Sequence, residues 1–275
     1  MSIQRYSPDQ HPITSVFAAR LNLMRLTRIR LESPPALLSD IPESFTVKPA
    51  EEGILHVLSG TVALRFYGTW GKQTVSRLGN RNGIFDGLPS CVTIRPNTSF
   101  TAAAVSRYAD LLLAVGFNTA LQPGSPTVLR PEDVQVHNIG HGSLRREVRE
   151  VVGGNGISDK LRLGETINSV GGWSSWPHHD FTADPTRAKH FEEVFLYFTH
   201  PRNGYGFQKR HGIFGGSGEI FSDVAIIHNG DYAILPLGEH PAVAGPDTRL
   251  AYVWVYVSPV AKKYAKWAED GGEYA

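Results

Sequence analysis

The chain has 275 residues, with 27 Lys and Arg against 26 Asp and Glu, so no global field argues for nucleic acid or an anionic membrane as a partner. A single cysteine, Cys91, excludes an internal disulfide and a thiolate zinc cluster and suits a reducing cytoplasm. The 28 Gly and 18 Pro supply many turns, no apolar run reaches the roughly 18 residues of a membrane span, and MSIQRYSPDQHPITS lacks a basic-then-apolar export signal. A β-rich, cytoplasmic protein without a membrane segment is expected.

Residues 1–20 are polar and read as an arm or an edge strand. Asn22–Leu31 alternates apolar and basic residues, which predicts a half-buried strand with its arginines outward. Pro34, Pro35 and Pro42 make 32–43 a loop. Gly53–Leu58 and Thr61–Tyr67, joined at Ser59-Gly60, read as a hairpin. Residues 77–86 are turn-like, Cys91–Arg95 is a short strand, and Ser99–Val105 and Ala109–Val115 are two more. The second of these is almost wholly apolar, as befits a strand buried on both faces. The Pro- and Gly-containing stretch 116–135 reads as an inter-domain linker. Ser143–Val152 is compatible with a helix or an edge strand. Strands return from Lys160 onward, as KLRLGETINSV, EVFLYF, GYGFQKRHGIF, DVAIIH, DYAILP and RLAYVWVYV, and Val260–Trp267 spaces its apolar residues as a short C-terminal helix.

Two landmarks recur about half a chain apart. Glu52-Gly-Ile-Leu-His-Val-Leu resembles Glu193-Val-Phe-Leu-Tyr-Phe, and Pro96-Asn-Thr-Ser-Phe100 resembles Pro236-Leu-Gly-Glu-His240. Such a recurrence is the mark of an internal duplication, here two tandem β-barrels spanning 1–135 and 136–275. Where the second copy has His240 the first has Phe100, which binds no metal, so the first barrel is expected to be structural.

In the second half, Gly171–Phe198 holds His178 and His179, then Asp180, and Glu193 at the opening of a strand, with His240 following a Pro-Gly turn. Imidazoles and a carboxylate converging from separate strands are what a divalent ion wants in a mixed nitrogen and oxygen site. Adjacent side chains on a strand diverge, so His178 and His179 share an ion only where the chain bends, as Pro177 permits. Asp180 is either a further ligand or a partner orienting an imidazole, and Glu192 faces outward by alternation. Trp173, Trp176, Phe195 and Tyr197 read as core and rim packing. Gly153–Gly156 lacks the Lys-Ser/Thr of a phosphate loop, and no Gly-x-Ser-x-Gly elbow marks a nucleophile.

Several motifs in order, Gly172-Trp-Ser-Ser-Trp-Pro177, Glu192-Glu-Val-Phe, Gly204-Tyr-Gly-Phe-Gln208, Asn229-Gly-Asp231 and His240-Pro-Ala-Val-Ala, resemble the bicupin sugar-acid isomerases. That family contains 5-deoxy-glucuronate isomerase of inositol catabolism and 4-deoxy-L-threo-5-hexosulose-uronate ketol-isomerase of pectin breakdown. In the first half, LGNRNGIFDGLPSCVTIRPNTS resembles the family's Gly-x-Arg-x-x-x-Phe segment. Members usually carry Pro-Pro-His-x-His-Asp where this chain reads Pro177-His178-His179-Asp180, and Gly-Tyr-His-Pro where it reads Gly238-Glu239-His240-Pro241. Either the two histidine ligands have become adjacent, or His179 keeps one place and Phe181 takes the other; Glu193 and His240 match the remaining ligand places directly.

The resemblance implies two tandem cupin barrels, the second holding a divalent metal, zinc most simply and otherwise manganese or iron. It implies an aldose–ketose isomerase that converts 5-deoxy-D-glucuronate to 5-dehydro-2-deoxy-D-gluconate; the sequence does not single out the base, for which Asp180, Glu239 and a metal-bound hydroxide are the candidates. Gln208, Lys209 and Arg187 are candidate contacts to the sugar acid, with Arg210 as another cation for its carboxylate. A homo-oligomer is compatible with this reading. The other readings are a non-catalytic sugar-binding or regulatory cupin that has lost full metal ligation, and an iron oxygenase.

Overall fold

A computed structural model describes residues 13–16, 21, 23–33, 43–153, 156–175, 192–213, 220–235 and 239–258. Their contacts divide into two units. One comprises the described parts of Ser7–Val134 with Val151–Arg162, the other those of Gln135–Glu150 with Leu163–Ala275. The expected C-terminal helix lies outside the described residues, among which there is no α-helix, and so no helix long and apolar enough to cross a membrane.

The first unit contains β1 (Ile13–Val16), β2 (Met24–Glu32), β3 (Glu43–Val47), β4 (Glu51–Gly68), β5 (Gly71–Arg81), β6 (Ser90–Ile94), β7 (Thr98–Phe117) and β8 (Thr127–Leu129). They form one sheet ordered β1-β2-β7-β4-β6-β8, with β3 also on β7 and β5 also on β4. Its spine is the long antiparallel pair β4 and β7. The expected hairpin at Ser59-Gly60 is instead a bulge inside one strand, because β4 stays paired with β7 on both sides of it while the register shifts. Gly60 makes the bend with φ 79°, and a Cβ there would stand 2.1 Å from the Tyr108 carbonyl oxygen. The same pairing merges the two strands expected over 99–115 into β7.

Three other expectations change. Residues 77–81 belong to β5, the expected linker contains β8 paired with β6, and Arg28 is buried by its fork on Asp110, Nε to Oδ1 3.0 Å, rather than turned outward.

The second unit contains β9 (Gln135–Ile139), most of β10 (Arg146–Val152) and of β11 (Leu161–Asn168), β12 (Trp173–Ser174), β13 (Glu192–His200), β14 (Tyr205–Ile213), β15 (Ile220–His228), β16 (Tyr232–Leu235), β17 (Ala242–Ala244) and β18 (Arg249–Val257). One sheet runs β16-β13-β18-β11-β10-β9 and a second runs β12-β17-β14-β15. The ambiguous stretch 143–152 is therefore mostly strand, β10, pairing with β9. Inner faces follow strict alternation. Phe195 and Tyr197 of β13, Ala233 and Leu235 of β16, Leu250, Tyr252 and Trp254 of β18, and Ala242 and Ala244 of β17 make one core.

Comparing these cores corrects the register of the duplication. In the first unit the inward residues of β4 are Leu55 and Val57, opposite Leu113 and Leu111. In the second they are Phe195 and Tyr197, opposite Trp254 and Tyr252. Two residues before each set stand Gly53 and Glu193, so Gly53, not Glu52, holds the place of Glu193. Glu52 lies on the other face, where its carboxylate accepts the amides of Asp159 (3.1 Å), Lys160 (2.7 Å) and Leu161 (2.8 Å). On the opposite wall Leu64 pairs with Ala102 as Gln208 pairs with Ala242, which aligns Phe100 with His240. Phe100 is fully buried and lies 5.2 Å from Phe45 and 5.5 Å from Phe66, ring centre to ring centre.

The Gly60 bulge carries a prediction. Gly60→Ala combines a left-handed backbone with a hard contact, and should cost the fold about 3 kcal/mol or more, measured as a lowered midpoint in denaturant. An unchanged midpoint would mean that the bend has another origin.

Candidate functional site

The second barrel concentrates polar groups on an otherwise apolar inner wall. Strand β13 reads EEVFLYFTH, and alternation sends Glu193, Phe195 and Tyr197 to one face. The opposite face is also covered, so Glu192, expected at the surface, is buried at 7% exposure. Across the ladder Glu193 faces Leu235 on β16 and Tyr256 on β18. His240 lies just ahead of β17 and is 1% exposed. Its Nε2 stands 3.1 Å from Glu193 Oε2, a buried oxygen with no hydrogen-bond partner among the described residues.

The imidazole and its backbone are held separately. Phe195 meets the His240 ring edge-on at 5.5 Å between centroids and stacks on Tyr252 at 4.3 Å. Gln208, wholly buried on β14, donates from Nε2 to the His240 carbonyl and to that of Pro241 (3.1 Å), while its Oε1 accepts the Tyr197 hydroxyl. Gln208 does point inward, but these bonds use its amide to fasten the His240 loop to β13.

Tyr252 has a similar support. Its hydroxyl is 3.3 Å from Ser175 Oγ, and Ser174 and Thr166 also bond it. Burial raises the Tyr252 pKa, the neighbouring hydroxyls and the Arg146 charge offsetting only part of the rise. Asn168 Nδ2 in turn donates to Ser174 Oγ at 2.9 Å. The Trp-Ser-Ser motif therefore has a physical role. Trp173-Ser174 is β12, paired with Val243 and Ala242 of β17, directly beyond His240. It carries the chain along the His240 strand just before the histidine pair begins.

The remaining expected residues divide as follows. His178, His179, Asp180 and Arg187 lie outside the described residues, as does Trp176. Glu239 is half-buried and its backbone bridges His211 in both directions, at 2.7 and 3.0 Å. Lys209 is half-buried and, one residue past Gln208, belongs to the opposite face of β14, away from the core. Arg210 returns to Gln208's face. Among the described residues no three His, Cys, Asp or Glu side chains form a metal-holding group; Glu193 and His240 are the expected pair that the fold brings together. Reading Tyr197 as packing overlooked its hydroxyl and that of Tyr252. The signal was their place on alternating inward positions, opposite one another across β13 and β18.

Two predictions concern this framework. Gln208→Leu, which copies Leu64 of the first barrel, should cost about 1–3 kcal/mol by stranding the Tyr197 hydroxyl and the His240 carbonyl. Tyr197→Phe added to it should restore part of that loss in a double-mutant cycle; strictly additive losses would show that the two are not coupled. The second prediction concerns pH. Burial, reinforced by the nearby Tyr252 and Glu193, holds the Tyr197 pKa well above the usual 10.0. The fold keeps this proton while the unfolded chain releases it, so this contribution is complete below pH 10.0 and is lost as pH rises through the folded value. Denaturation midpoints taken between about pH 9 and 11 should fall less steeply for Tyr197→Phe than for the parent chain.

Comparison with known proteins completes the description of the site. The model of the KduI/IolB family matches residues 12–271. A 5-deoxy-glucuronate isomerase from Shouchella clausii (strain KSM-K16) is 28% identical over 215 residues, covering 77% of this chain and 73% of that protein. The crystal structure of an IolB-like protein from Salmonella typhimurium LT2 superposes with a TM-score of 0.76 at 19% identity, over 98% of this chain and 94% of that one. Bacillus subtilis oxalate decarboxylase, a protein with Mn(II) centres, superposes at 0.60 with 11% identity, over 92% of this chain and 74% of that one. These structural likenesses concern the fold, which is all-β and bicupin.

Proposed function

The chain belongs to the KduI/IolB family, and on that premise we propose that its second barrel is a metal-dependent aldose–ketose isomerase site for a deoxy-uronic acid, 5-deoxy-D-glucuronate becoming 5-dehydro-2-deoxy-D-gluconate in myo-inositol catabolism. The observation that carries this reading is the convergence of Glu193 Oε2 and His240 Nε2, 3.1 Å apart in a buried setting, with the carboxylate oxygen lacking a hydrogen-bond partner among the described residues. A carboxylate and an imidazole aimed at one point suit a divalent ion, zinc in the simplest case and manganese or iron as alternatives. Glu193 and His240 would hold it together with His178 or His179, the first of which follows Ser175 by three residues. Leu64, Phe100 and Gly53 at the corresponding places of the first barrel support one site per chain, with the N-terminal barrel structural.

When bound, such an ion polarises the open-chain carbonyl and the neighbouring hydroxyl of the sugar. The chain's own residues have the proton work. A base removes the C2 proton and returns it to C1, while a second proton passes from the C2 oxygen to the C1 oxygen, so the product is an isomer with no atom gained or lost. Glu239, next to His240, and Asp180, next to the histidine pair, are the carboxylates proposed for that transfer. Tyr197 is unsuited to the role of base, because burial keeps its hydroxyl protonated and that proton is committed to Gln208. Lys209, on the outer face of β14, is not a substrate contact in this reading, and Arg187 stays a candidate.

Purified protein is expected to contain about one divalent metal per chain, and His240→Ala to lose that metal and more than about 100-fold in isomerase kcat/KM, exceeding the loss typical of a group that merely orients a ligand. A metal-free His240→Ala protein with unimpaired turnover would sink the reading.

A further inference from the structure

We infer that Ser175 is a positioning residue of the second barrel's metal site, its strained backbone and its contact with Tyr252 fixing where the chain leaves β12 on the way to His178. The inference rests on the proposed reading of that barrel as a metal site.

The backbone carries it. Ser175 has φ 53°, in the left-handed region that an L side chain enters only at a cost. Strand β12 ends one residue earlier, where Ser174 pairs with Ala242, two residues past His240. Ser175 is a bend and is 8% exposed, so the chain turns inside the protein rather than in a solvated loop. Such a conformation persists only where its surroundings impose it, and it gathers at ligand sites. His178 follows by three residues, a span of at most about 10 Å.

The surroundings here are hydroxyls that converge on Tyr252. Ser175 Oγ stands 3.3 Å from the Tyr252 hydroxyl, which Ser174 and Thr166 also bond. Asn168 Nδ2 fixes the end of β12, donating to Ser174 Oγ at 2.9 Å and to the Gly172 carbonyl at 3.2 Å. The Tyr252 ring stacks on Phe195, and Phe195 meets the His240 ring edge-on. One line of contacts thus runs from the Ser175 hydroxyl to the imidazole. The start of the histidine segment and the histidine after the turn lean on the same two rings.

The duplication provides a control. In the first barrel β3 takes the place of β12, since Glu43 pairs with Ala102 as Ser174 pairs with Ala242. That strand runs on unbroken, with Ser44 opposite Thr101 and Phe45 opposite Phe100, the residue at the place of His240. Ser44 is exposed, and Leu111 stands where the second barrel has Tyr252. The barrel with phenylalanine in place of His240 therefore lacks both the bend and the phenol that holds it. A serine at this place does not by itself break the strand; the buried tyrosine accompanies the break.

The test sets Ser175→Ala, Tyr252→Phe and the double variant beside the parent chain, with His240→Ala as the ligand control. Transfer of Zn2+ from each holoprotein to a chromophoric chelator gives the affinity, and the visible spectrum of the Co2+-loaded protein reports the coordination geometry. Ser175→Ala and Tyr252→Phe should each weaken Zn2+ binding about 10- to 100-fold, as the loss of a group that orients a ligand does, and should alter the Co2+ spectrum in the same way. The double variant should bind no more weakly than the worse single variant, because both remove one contact. Losses that multiply in the double variant would overturn the inference. Unfolding midpoints of the metal-stripped proteins separate support of the barrel from support of the ion. Lowered midpoints with unchanged Zn2+ transfer and an unchanged Co2+ spectrum would make the contact merely structural and overturn the positioning role. Tyr252→Phe decides the matter alone where Ser175→Ala does not fold. A parent that binds Zn2+ through His240, with both variants indifferent, overturns the positioning role alone, and a parent that holds neither ion overturns the metal reading with it.

Discussion

A strand offers the interior of a barrel only every second side chain, and the second unit depends on how β13 spends those positions. Glu193, Phe195 and Tyr197 each take a different part in placing His240. Glu193 meets the imidazole nitrogen, Phe195 abuts the ring, and Tyr197 reaches the backbone through Gln208. Because the other face of β13 is also buried, a slip of one residue would send Glu192, Val194 and Leu196 inward and remove all three supports at once. Nine consecutive rungs with β18, together with the pairing to β16, hold that register.

The first barrel shows the same architecture without the polar investment. Gly53 is small because a Cβ there would approach Val47 Cγ2 to 2.9 Å, and Leu64, Phe66 and Phe100 fill the places of Gln208, Arg210 and His240. An apolar interior of this kind needs no hydrogen-bond partners and stabilises through burial. The second barrel carries the opposite burden, since each buried polar atom must find a partner or a ligand. Gln208 and Tyr197 satisfy one another and the His240 carbonyl, whereas Glu193 Oε2 has no hydrogen-bond partner among the described residues. That contrast within one chain is a stronger functional indicator than any single histidine.

Much of the architecture was legible from periodicity. The β-rich class, the duplication and most second-half strands follow from alternating apolar positions and turn residues. Ser59-Gly60 misled because a glycine with positive φ serves a bulge as well as a hairpin, and only pairing of both sides with β7 distinguishes them. Glu52 misled for a related reason. Its sequence neighbourhood imitates that of Glu193, but its side chain turns away from the core to cap the amides of Asp159, Lys160 and Leu161. Arg210 was one cation among several in the sequence; its face and its ion pair with Asp223 became visible only through the β14–β15 register.

The sequence by itself determined the chemical inventory of the second half, a carboxylate opening a strand and a histidine after a turn, and the family motifs around them. It also determined the apolar Phe100 in the first copy, because residue type needs no geometry to forbid a metal ligand. Tertiary structure alone decided which of two adjacent glutamates faces the core, that Gln208 fastens the His240 loop, and that Lys209 and Arg210 lie on opposite sides of one strand. The physical reason is the two-residue period of the strand. Neighbours in sequence are separated by the full thickness of a sheet, while groups about 47 residues apart, Glu193 and His240, meet within 3.1 Å once pairing sets the register.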